Sequence, residues 1–127
     1  MLSFEGDTGP YLQYTHARLM SIERKVGSFN EDADLTPLYN EPAALAVVDV
    51  LAKYPQYVKI AFKDFEPSTV VTYAFNLCHV ISSAVEALRV IGAEQPVADA
   101  RLVLFRSARI TLGNIIRLVG LKPLERM

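Results

Sequence analysis

The sequence predicts an all-α fold, an antiparallel helix bundle. Apolar residues recur every three to four positions through its long stretches, Pro and Gly stand at the edges of those stretches, and the period-two alternation of a half-buried strand is absent. At 127 residues the chain has the length of one domain, spanning residues 1–127, and its 51% apolar content is enough for a real core. Short connections favour antiparallel neighbours. No internal repeat, low-complexity tract or linker divides it.

The first helix is expected to begin at Pro10, where no N–H donor is needed. Leu12, His16, Leu19, Ile22 and Val26 then make one buried face, and Gly27 ends it. Residues 28–40, rich in Asn, Asp, Glu, Thr and Pro, read as a loop. A second helix runs from Glu41-Pro42 to Tyr54, and Pro55 separates it from a short helix over 56–65. Pro67 opens a helix to about Ile91, with Val70/Val71, Ala74, Leu77/Cys78, Ile81, Ala84/Val85, Leu88 and Ile91 recurring every three to four residues and Gly92 as its stop. The last helix spans about Val97–Val119. It buries Ala98, Leu102, Phe105, Ala108, Leu112, Ile115 and Val119, and Gly120 and Pro123 end it.

The net charge of −1 argues against a whole-molecule grip on a polyanion, including DNA or anionic lipid, but it hides an asymmetry. Residues 1–96 hold 7 basic and 12 acidic side chains, net −5; residues 97–127 hold 6 and 2, net +4. No apolar run approaches the ~20 residues that span a bilayer, so no membrane partner is expected. Glu5 and Asp7 interrupt the N-terminus before any signal-like stretch. The lone Cys78 forbids an internal disulfide and reads as a packed core thiol. An intracellular, cytoplasmic setting is expected, a mitochondrial form remaining open.

Few residues suggest chemistry. Gly6-Asp7-Thr8-Gly9 precedes a helix, yet it matches neither phosphate-loop pattern, and Asp7 would repel a phosphate; a tight turn is the simpler reading. His16 and His79 lack metal-ligand spacing and read as packed, hydrogen-bonded histidines, so no metal site is expected. No nucleophile–base–acid set is apparent. The first helix has a second face: Tyr11, Tyr14, Arg18 and Lys25 at i, i+3, i+7 and i+14 project to one side. Two aromatic planes followed by two cations could stack bases and hold phosphates, or the tyrosines could cover the core with wet hydroxyls. Arg106, Arg109 and Arg117 fall in one arc of the last helix with few carboxylates on that helix, which suits phosphate or plain solvation. Together these faces suggest RNA read by stacking on loops rather than in a duplex groove.

Four segments then converge. FEGDTGPYLQYTHAR at 4–18 resembles the lead-in to the anticodon-binding domain of arginyl-tRNA synthetases, and ARLVLFRSARITLGNIIRLVGLKPLERM at 100–127 resembles the C-terminal helix and final P-x-E-R-M of the same enzymes. EPAAL at 41–45 and EPSTVVTYAFNLCHVISSA at 66–84 match in order between them. The likeness covers essentially the whole chain and is nearest to the eukaryotic, fungal type.

The resemblance implies an α-helical module that binds the arginine tRNA anticodon loop, with residues 1–9 as the junction to a catalytic domain. That domain would bind ATP and Mg2+; no cofactor is expected on these 127 residues, which lack HIGH-like and KMSKS-like motifs, so the chain should bind tRNA without aminoacylating it. Every arginine codon has G in the middle, so every arginine anticodon has a central C, the base to be read. By the family pattern Tyr11, Tyr14 and Arg18 are the expected anticodon contacts, with Met127 near the pocket and Tyr73 a weaker candidate whose role could be structural instead. Arg106 and Arg109 are expected backbone contacts from the basic-face argument. One departure stands out: Val85 and Arg89 occupy positions where relatives carry aromatics, and Arg89 could replace a ring by its guanidinium plane or charge. A helical protein-interaction or scaffold module without RNA binding is the alternative, and an exposed interdomain face could also drive dimerisation.

Overall fold

The structure, a computed structural model, describes residues 8–64 and 67–126. Met127 and the Gly6-Asp7 part of the expected turn lie outside the described residues. Every described regular element is helical: α1 (Thr8–Val26), a 3-10 turn (Thr36–Leu38), α2 (Pro42–Ala52), α3 (Tyr54–Asp64), α4 (Pro67–Ala87) and α5 (Gln95–Leu118). α1 starts two residues before Pro10, which still falls in the first turn. Pro42 takes the first position of α2, and Pro55 sits at the start of α3, so the prolines punctuate the chain as expected.

α4 and α5 form the centre, with α1, α2 and α3 packed around them. The seven residues expected to face the core from α5 are all buried, and Leu104 and Ile116 join them, because α5 is covered by α1, α2, α4 and the 3-10 turn. Fully burying side chains such as Leu12, Leu77, Phe105 or Leu112 contributes about 1.5–3 kcal/mol each. Gly120 closes α5 at φ +86: its N–H donates to the Arg117 carbonyl (3.0 Å) and the Leu121 N–H to the Ile116 carbonyl (3.0 Å). That is a Schellman closure, which satisfies two carbonyls the helix end would otherwise leave open.

Three expectations need correction. α4 ends at Ala87 rather than near Ile91, so Ile91 leaves the core and is 68% exposed. His79 stands exposed on α4 rather than packed. One stretch, Ser68–Ala87, is long and apolar enough by length and composition to cross a membrane, with mean hydropathy 1.2. Its apolar residues serve the bundle centre, where Val70, Ala74, Leu77, Cys78, Ile81 and Ala84 pack among the other helices.

Candidate nucleic-acid interface

α1 carries three different chemistries around its circumference. Leu12, Thr15 and Leu19 enter the core. A second strip is polar yet buried: Gln13 and His16 face the segment after α5. Gln13 Nε2 donates to the Lys122 carbonyl (2.8 Å), while the Leu124 N–H donates to Gln13 Oε1 (2.8 Å). His16 Nδ1 donates to the Leu124 carbonyl (2.7 Å), which assigns the proton to that ring nitrogen. Arg24 Nη1 donates to the Glu125 carbonyl (2.9 Å). Residues 122–125 therefore lie along α1, and Arg126 follows.

The third strip is open. Tyr14, Ala17, Arg18, Ser21 and Arg24 on α1, with Arg126 from the tail, line a cleft of about 370 Å³. Three of its lining side chains are guanidinium groups and none is acidic. Tyr14 is 53% exposed at this cleft. A concave site with an available aromatic ring and three fixed positive charges suits a base with its phosphates.

The expected stripe of Tyr11, Tyr14, Arg18 and Lys25 thus divides. Tyr14 and Arg18 share the cleft. Tyr11 is half-buried, its ring stacked on Phe75 with centroids 5.8 Å apart and planes 27° from parallel. Lys25 belongs to a second cleft of about 300 Å³, with Ile22, Val85, Arg89 and Phe105 among its walls. Val85 and Arg89 therefore form an apolar and cationic pocket where aromatics were expected. Its other cation is Lys25.

Tyr73 does not belong to the interface. It is 3% exposed, its hydroxyl donates to the Val50 carbonyl (2.6 Å), and Tyr54 and Tyr57 pack on its ring. Burial pushes its pKa upward, chiefly by disfavouring the phenolate.

The basic face of α5 is occupied in a way its own sequence could not reveal. Glu23 of α1, nearly buried, lies 3.0 Å from Arg106 Nε and 2.8 Å from Arg109 Nε. The Arg109 N–H is not aimed at the carboxylate, so that contact is an ion pair without an aligned hydrogen bond. Arg106 also pairs with Glu31 and lies over the Phe29 ring, 4.7 Å from its centroid. Arg101 pairs with Glu41 (3.4 Å) and donates to the Arg89 carbonyl (2.6 Å). Arg106 and Arg109 were expected as RNA backbone contacts because α5 itself carries few carboxylates. The neutralising acids come from α1 and the following loop, so these two arginines tie elements together and offer little free charge.

Two buried titratable groups have clear causes for their shifts. Burial lowers the His16 pKa, helped by the Arg109 and Arg117 charges and opposed by the Leu124 carbonyl. Burial pushes the Cys78 thiol up to about 12, so it stays protonated and inert, as a core thiol should. Among the described residues no three His, Cys, Asp or Glu side chains gather as metal ligands.

Sequence reasoning passed over Gln13, Arg24 and Arg126. A buried amide facing an irregular backbone leaves no periodic signal, and Arg126 meets Arg18 only through the fold. Gln13 and His16 at i and i+3 were the one available hint.

Comparison with known proteins places these features. The DALR anticodon binding domain matches residues 12–127. The cytoplasmic arginine–tRNA ligase of Saccharomyces cerevisiae is 49% identical over the whole chain, which covers 21% of that protein. The mitochondrial arginine–tRNA ligase of the same yeast is 47% identical, again over the whole chain and 20% of the relative. The solved Thermus thermophilus arginyl-tRNA synthetase is 32% identical with a TM-score of 0.88, over 98% of this chain and 22% of that one. The chain thus spans about a fifth of the length of the relatives it matches. The all-helical bundle, the cationic cleft with its tyrosine and the match from Leu12 onward agree: this chain belongs to the DALR anticodon binding domain family, in the form carried by arginine–tRNA ligases.

Proposed function

We propose that the domain binds the anticodon loop of arginine tRNA and reads its central C, serving arginyl-tRNA aminoacylation by a longer protein whose catalytic domain supplies the chemistry. The observation that carries this is the cleft in which Tyr14 stands beside Arg18, Arg24 and Arg126, with no acidic side chain among the described residues that line it. Once splayed out, a cytosine offers an N4 donor and O2 and N3 acceptors; guanidinium and phenol groups meet the acceptors, and backbone carbonyls can take the donor. Tyr14 stacks or hydrogen-bonds, Arg18 contacts base or phosphate, and Arg24 and Arg126 hold the backbone.

Tyr11 acts mainly by bracing this face through Phe75. Arg89, with Lys25, is assigned to a neighbouring nucleotide, where an apolar wall and two charges do the work of a stacking ring. ATP and Mg2+ would bind the catalytic domain of that longer protein. A cytoplasmic location follows the first yeast relative, and a mitochondrial one the second. The test is titration with arginine tRNA and with a variant whose central anticodon C is changed.

A further inference from the structure

From Leu121 to Arg126 the chain has no regular structure, and the backbone groups of such a segment need partners from elsewhere. Between Lys122 and Glu125 those partners are side chains of α1. The Gln13 amide gives its donor to one tail carbonyl and its acceptor to one tail N–H, so its orientation is set by chemistry on both sides. His16 adds a donor to Leu124, and its ring rests where α1 and α5 come close: a Cβ on Gly113 would stand 3.3 Å from Nε2. Gln13 and His16 are both buried, at 9% and 5% exposure, and neither lines the cleft. Arg126, which does line it, stands two residues beyond the last atom they hold.

We propose that Gln13 and His16 are positioning residues: they clamp residues 122–124 onto α1 and thereby deliver Arg126 into the cleft. This rests on the RNA-binding reading above, but the clamp itself has a readout that needs no RNA. The Leu124 amide donates to Gln13, so its hydrogen exchange reports the clamp directly. Gln13→Glu keeps the size and the acceptor but places a carboxylate against the Lys122 carbonyl. His16→Phe removes the donor, while His16→Asn restores an N–H near the Nδ1 position.

In Gln13→Glu and in His16→Phe the Leu124 amide should exchange at least about tenfold faster, with the α5 core amides of Leu112 and Ile115 still protected. His16→Asn should bring protection back. Affinity for arginine tRNA should fall on the order of tenfold in Gln13→Glu and in Arg126→Ala alike. The double variant Gln13→Glu/Arg126→Ala should be no weaker than Arg126→Ala alone, because Gln13 acts through Arg126. Unchanged Leu124 exchange in both clamp variants would overturn the clamp. A full additive loss in the double variant would overturn the positioning role, since Gln13 would then act without Arg126. Should Gln13→Glu unfold α5, His16→Phe and His16→Asn decide the same question. If the unmodified chain binds no arginine tRNA, the positioning role falls together with the RNA-binding reading, and the exchange data then decide only whether the tail is clamped.

Discussion

Tyr14 presents half its surface to solvent while its neighbours Gln13 and Thr15 are buried, so truncating it removes contact area without opening the core. Tyr14→Ala and Arg18→Ala are each expected to weaken arginine tRNA binding by about 1–3 kcal/mol, measured by titration, with circular dichroism unchanged. A lost helical signal would instead make these residues part of the core. Tyr73→Phe separates the two kinds of tyrosine. Loss of its hydrogen bond to Val50 should lower unfolding stability by about 1 kcal/mol in a urea titration and leave tRNA affinity as it was. Spacing identified the Tyr14–Arg18 pair but could not tell which tyrosines face water. Tyr11, Tyr14 and Tyr73 are chemically alike, and Phe75 and Val50, which decide their fates, are distant in sequence.

At the scale of elements, α1 and α5 run antiparallel, as their register shows: His16 lies against Gly113, and Glu23 against Arg106 and Arg109. Glu23 couples the two helices electrostatically. Glu23→Gln leaves the partly buried Arg109 without its counter-charge and Arg106 with Glu31 alone, and stability should fall by about 1–3 kcal/mol in urea unfolding, partial exposure keeping the loss below that of a fully buried pair. The helices themselves were legible because Pro10, Pro42, Pro55, Gly27 and Gly120 act locally, and backbone geometry follows directly from them. The end of α4 was not. Nothing in the apolar spacing announces that Leu88 is the last fully buried residue and that Ile91 turns to solvent.

For the molecule as a whole, the docking of the tail brings a pH dependence. The folded pKa of His16 lies below its ordinary value near 6.5. As pH falls through about 6.5 the unfolded chain binds a proton that the folded chain refuses, so stability declines until the folded pKa is reached. Urea unfolding at pH 7.5 and 5.5 should show a drop that shrinks in His16→Asn, which keeps the donor and cannot titrate. Charge asymmetry along the sequence pointed to the last quarter as the polyanion surface. The folded molecule changes that, because acids from α1, its loop and the start of α2 neutralise Arg101, Arg106 and Arg109, whereas Arg18 and Arg24 of α1 meet Arg126 of the tail in one cleft. The most direct test of this account is equilibrium binding of the 127-residue chain to arginine tRNA and to the same tRNA with its central anticodon C replaced. The account predicts saturable binding of the first and an affinity for the second lower by tenfold or more, on the order of one lost hydrogen-bonded base contact. Equal affinity for both, or binding to neither, would contradict it.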